Sequence, residues 1–127
     1  MNLAHERDGR RCVVFGILAE TTHHRIHGDR SNMRPSNLLS VSGSGTTGGH
    51  GWIEHNPLAA REAYGWTVSK HDPRDLTEIP AWMEAGPFGQ GWYLLDDEWG
   101  FRGWPGSVLM QGLSLPDPPA VLERRDR

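Results

Sequence analysis

Thr21-Thr22-His23-His24-Arg25-Ile26, Leu38-Leu39-Ser40-Val41 and His50-Gly51-Trp52-Ile53-Glu54-His55 are the stretches that decide the fold. The first is β-prone, and Gly28-Asp29 supplies the turn that ends it. Residues 31–37 read as a loop with a turn fixed by Pro35, and the second stretch is a short apolar run suited to a strand. The third reads as a short helix. It is delivered by residues 42–49, half of them glycine, a composition that cannot easily form regular structure. Along a strand, successive side chains point to opposite faces. One imidazole of the pair His23-His24 can therefore face a metal anchored on the following helix, while its neighbour faces a substrate.

Histidine is the informative residue type. Five of the seven (His23, His24, His27, His50 and His55) fall between positions 23 and 55. His5, His27 and His71 read as ordinary structural or surface residues. Phosphodiester hydrolysis needs a divalent cation to neutralise phosphate charge and stabilise the leaving oxygen. It also needs a base near neutral pKa, which imidazole supplies. Such a base is held in orientation by a neighbouring amide or carbonyl, and Asn37, in the loop after the pair, is placed to do this.

The order His23-His24, then Asn37-Leu38-Leu39, then Thr46-Thr47-Gly48-Gly49-His50-Gly51-Trp52 resembles the HNH endonuclease family. Among its members the small proteins of tailed phages and actinobacteria are the most similar. The resemblance covers about residues 7–72 and takes in Arg7-Asp8-Gly9. It implies an α+β fold of the ββα-metal type, in which two strands and a helix grip one divalent ion (Mg²⁺, Mn²⁺, Ni²⁺ or Zn²⁺). By position it implies that His23 and His50 are metal ligands and His24 the general base. Asn37 would brace the motif and orient His24. His55 is a further candidate ligand, but five residues turn a helix by about 140°, against about 40° for four, so it requires a distorted helix. Arg25, Arg30 and Arg34 are candidate phosphate contacts. The implied partners are DNA and, in genome packaging, terminase or portal proteins.

Many members of that family also carry a structural zinc held by two cysteine pairs. Here only Cys12 is present, and Phe15, Ser42 and Gly49 stand where the other three would lie. One thiol cannot build a four-cysteine site, so packing is expected to replace the zinc, with the Phe15 ring filling space.

Around the motif, Cys12-Val13-Val14-Phe15 reads as a short strand stopped by Gly16, and Trp66-Thr67-Val68-Ser69 as another. Asn56-Pro57 opens a second helix that Gly65 ends. Beyond residue 74 the chain becomes rich in aromatic residues. Gly91–Leu95, an acidic turn and the residues after it read as a hairpin packed on the motif, and the chain from Pro116 on is expected to fray. Residues 1–74 thus form the nuclease motif and 75–127 an extension of the same domain.

With 127 residues, one domain with a modest core is expected. The net charge is −3, but residues 1–74 carry nine Lys/Arg against seven Asp/Glu, and the remainder four against nine. That asymmetry suits a face offered to phosphate. No apolar run is long enough to span a membrane, and the charged N-terminus lacks a signal-peptide core, so a cytoplasmic setting is expected. The rival reading is a non-catalytic nucleic-acid-binding or packaging module with an HNH-like shell. A ribonuclease on the same motif would differ only in substrate.

Overall fold

The computed structural model describes residues 2–28 and 31–103. They form a mixed α/β structure of short helices and small sheets, consistent with the α+β class expected. In chain order the elements are α1 (Leu3–Arg7), β1 (Thr21–His24), a 3-10 turn (Pro35–Asn37), β2 (Leu38–Val41), α2 (Gly48–His55), α3 (Pro57–Glu62), a second 3-10 turn (Leu76–Glu78), β3 (Ala81–Gly86), β4 (Gly89–Leu95) and β5 (Phe101–Gly103). Strands β1 and β2 form an antiparallel pair, and β3-β4-β5 an antiparallel meander.

The β1–β2 register sets His23 opposite Leu39 and His24 opposite Leu38. Strand alternation then turns His23 into the core, where it is 2% exposed, and leaves His24 half-buried. Asn37 closes the connection. Its Oδ1 accepts from Ile26 N at 2.9 Å, its Nδ2 donates to Asn32 O at 2.9 Å, and its carbonyl accepts from Arg25 N. On the far side of β2, the buried Arg7–Asp8 pair ties α1 down. Arg7 donates to the Pro35 and Leu38 carbonyls, while Asp8 accepts from Ser40 N.

The glycine-rich tract before α2 is an ordered loop. Gly43 and Gly48 both have positive φ, and a Cβ on either would strike the backbone of the other side of the loop. Ser42 closes it, accepting from Gly49 N through Oγ and from His50 N through its carbonyl. Those contacts fix where α2 begins, and so where His50 stands.

Two expected strands are absent. Cys12–Phe15 is a buried turn, closed at Gly16 by a bond from Gly16 N to Cys12 O. It links the sheets, because Val13 N donates to Ser40 O of β2 and Val13 O accepts from Glu84 N of β3. Trp66–Ser69 is irregular, because its amides turn to separate partners: Trp66 N to Ala60 O and Val68 N to Arg25 O. In α3, Pro57 opens the helix as expected, but Asn56 makes no side-chain cap and instead donates to Trp52 O.

The meander contains the expected hairpin, with Asp96 Oδ1 accepting from Glu98 N and Gly100 N in the acidic turn. Its first strand, β3, was not expected. One apolar cluster joins both halves of the chain, from Val14, Leu39, Trp52 and Trp66 to Trp82, Tyr93 and Leu95. Trp66 stacks on Tyr64 at 4.2 Å, Trp52 packs edge-on to both, and Trp66 Nε1 donates to Trp82 O. Among the described residues no helix is long and apolar enough to cross a membrane. Residues 104–127, which include the stretch from Pro116 on where fraying was expected, lie outside the described residues.

Candidate metal centre

Strand β1 supplies the first imidazole. His23 Nε2 lies 2.8 Å from the Trp66 carbonyl oxygen, which can only accept. Nε2 therefore carries the proton, and Nδ1 keeps a free lone pair. Burial pushes this imidazole down to about 4, against the opposing effect of the Trp66 bond, and the neighbouring His50, His24 and Arg25 push the same way as burial. At neutral pH His23 is thus an uncharged ligand-type imidazole.

Helix α2 supplies the second. The Thr21 hydroxyl gives its one proton to Gly43 O at 2.8 Å, so its oxygen is free to accept from His50 Nδ1 at 3.3 Å. That leaves the lone pair on His50 Nε2. Burial lowers the His50 pKa, Glu54 opposes this, and His24 adds to it. The two rings meet edge-on with centroids 5.6 Å apart.

The third group is a carboxylate. Glu54 lies four residues after His50, about 40° round the helix and one turn along, and its Oε1 is 3.7 Å from His50 Nε2. Among the described residues His23, His50 and Glu54 form the one group able to hold a metal ion, with one ligand atom from each within 4.8 Å of the others. Ligand atoms around a shared zinc-sized ion stand about 3–4 Å apart, so small side-chain rotations suffice. Glu54 Oε2 also faces His27 Nε2 at 3.6 Å, which brings a histidine read as an ordinary surface residue to the edge of the site.

His55 does not join the group. Helix α2 runs regularly to its end, and His55 is exposed on another face. The i+4 rule that argues against His55 selects Glu54, and that was the available signal for the residue sequence reasoning missed.

His24 lines a cleft of about 640 Å³ together with His23, His50 and Glu54. Its Nε2 is buried and has no hydrogen-bond partner. Asn37 braces β1 through the Ile26 amide and the Asn32 carbonyl, so the expected hydrogen bond orienting the His24 ring is not formed.

Arg25 is a correction. It is fully buried, and its guanidinium donates to the carbonyls of Gly65, Ser36, Leu76 and Ile79, so it holds the fold and cannot meet a phosphate. Arg34 is partly exposed but already paired with Asp75 and Asp97, at 2.9 and 2.8 Å. Those bonds hold the Asp75 carboxyl well below the usual carboxylate range and raise the Arg34 guanidinium. Arg30 lies outside the described residues.

Where a cysteine zinc site would stand, Cys12 packs against Gly49. A Cβ on Gly49 would collide with Cys12 Sγ, Ser42 Oγ is bonded to Gly49 N, and Phe15 is buried in the main core. No family model, curated protein or solved structure matches this chain. Function is therefore inferred from the chemistry of the site.

Proposed function

We propose that this chain is a metal-dependent phosphodiesterase of the HNH, ββα-metal type, acting on DNA. The observation that carries the reading is the convergence of His23, His50 and Glu54 beside the unpartnered His24 nitrogen. The order β1–β2–α2, with a histidine pair on the first strand and a ligand on the helix, supports the same fold type.

The donor set fits a divalent ion. Both imidazoles are neutral, each has its second nitrogen fixed by an oxygen partner, and three protein ligands leave positions open for substrate. Two nitrogens and one carboxylate favour Zn²⁺, Ni²⁺ or Mn²⁺ over Mg²⁺, which prefers oxygen. Bound there, the ion would neutralise phosphate charge and stabilise the leaving oxygen. His24, which lines the same cleft, is the residue assigned as general base toward the attacking water. Asn37 and the Arg7–Asp8 pair keep β1 and β2 in register, which holds both histidines at the one cleft.

Plasmid nicking, with and without EDTA and with each metal added, tests the proposal. Metal-dependent nicking that EDTA abolishes is expected, and His24→Ala should remove it while metal still binds. No cleavage with any of the four metals would refute catalysis and favour a binding module. Loss of bound metal together with activity in His24→Ala would mean that His23 and His24 had been assigned the wrong way round.

A further inference from the structure

A second cavity, also about 640 Å³, opens beside the metal centre and shares His23 and Glu54 with it. From that inner end it runs along α3 to residues 67–71. Its walls are largely apolar, formed by Ile53, Pro57, Leu58 and Val68, and Leu58 is 58% exposed with nothing covering it. Two cations, Arg61 and Lys70, line the same cavity.

Arg7, Arg34 and Arg74 are each paired with aspartate, and Arg25 is buried on carbonyls. Arg61 and Lys70 have neither an ion pair nor a side-chain hydrogen bond among the described residues. Arg10, Arg11 and Arg102 are also without an ion pair among the described residues, but of these unpaired cations only Arg61 and Lys70 line this cavity. Leaving two cations unpaired beside an apolar trough suits a ligand with alternating anionic and flat apolar parts. A nucleic-acid strand has that alternation, and the volume falls within the roughly 300–1,000 Å³ usual for small-ligand pockets, enough for a nucleotide unit.

Building on the phosphodiesterase reading, we propose that this cavity seats the unpaired nucleotide next to the scissile phosphate. A base packs on Leu58, Pro57 and Val68, while the adjoining phosphates meet Arg61 and Lys70. A paired base cannot enter a trough of this kind without leaving its stack, which costs a few kcal/mol in a duplex and little in a single strand. The preferred substrate is therefore single-stranded, or a duplex with a frayed or flapped end. Base–side-chain packing is tolerant of sequence, so little sequence preference is expected from this subsite.

The test is binding in EDTA, where cleavage does not interfere, read by fluorescence anisotropy of a labelled oligodeoxynucleotide and of its duplex. The single strand should bind at least tenfold tighter. Each phosphate neutralised on a single strand contributes about 0.7 to the log–log salt slope, so the Arg61→Gln/Lys70→Gln double variant should lower the slope by about 1.4. Leu58→Ser should weaken binding without changing the slope. Equal or tighter duplex binding would overturn the proposal, as would a double variant with the parent's slope. If the parent binds as described but cuts with no metal, the nuclease reading fails and this subsite stands.

Discussion

Replacing Arg25 with methionine separates a structural arginine from one that contacts phosphate. Methionine keeps much of the apolar stem and removes all the donors. Of the four carbonyls that accept from the guanidinium, Leu76 O also receives Ile79 N. The Ser36, Gly65 and Ile79 carbonyls, at 3.1, 3.0 and 2.8 Å, belong to buried residues, and the arginine is their donor. An orphaned buried acceptor costs about 1–3 kcal/mol, or about 3–9 kcal/mol for three. The loss is offset in part because a buried cation no longer has to be desolvated. That burden is real: burial foremost, helped by the charges of Arg7 and Arg74, pushes the guanidinium down to about 9. A net destabilisation of about 3 kcal/mol follows, which for a chain of this size lowers Tm by about 10 °C. Near-UV circular dichroism, reporting on the packed tryptophans, measures the melt. DNA affinity and its salt dependence, taken well below the variant's Tm, should match the parent. A variant as stable as the parent but with a reduced salt slope would refute this reasoning and return Arg25 to the phosphate.

Three further outcomes are expected. His23 titrates at about 4 in the fold and near 6.5 when unfolded, so from pH 6.5 down to 4 the unfolded chain binds a proton that the folded one refuses. In EDTA, stability should be full above pH 6.5 and fall by ~3 kcal/mol toward pH 4; urea unfolding against pH checks this, and His23→Phe should flatten that part of the profile. Gly49→Ala should destabilise by about 1–3 kcal/mol by forcing a methyl against Cys12 Sγ. Cys12→Ala should recover part of that loss in the double variant, and additive losses would deny the contact. Arg34→Ala should change stability by less than about 1 kcal/mol, since its ion pairs are solvent-exposed, and should leave cleavage within a few-fold of the parent.

What the sequence revealed was what local pattern encodes. The β-prone His pair, the apolar run of β2 and the loop into α2 lie close together, and their order alone brings His23 and His50 to the same place. Glu54 was equally legible through its four-residue spacing from His50, but a pattern of histidines drew attention to His55. Arg25 was not legible. Its burial depends on carbonyls up to 54 residues away, and an arginine beside two histidines reads as a phosphate ligand until those carbonyls are placed. Cys12–Phe15 reads as a strand but is a buried turn, because its apolar residues favour burial while the turn follows from Gly16 and from a partner amide on β3. Strand β3 is not legible in the sequence because Ala81-Trp82-Met83-Glu84 lacks clean alternation, and its pairing with β4 sets the structure.

Calorimetric titration of Mn²⁺ and Zn²⁺ into the parent, His50→Ala, Glu54→Ala and His55→Ala proteins tests the metal centre directly. Altering even a residue that only supports a ligand lowers affinity by about 10–100-fold, and loss of a ligand should cost at least that. His50→Ala and Glu54→Ala should each lose binding by that margin, while His55→Ala stays within a few-fold of the parent. Undiminished affinity in Glu54→Ala, with binding lost in His55→Ala, would contradict the account.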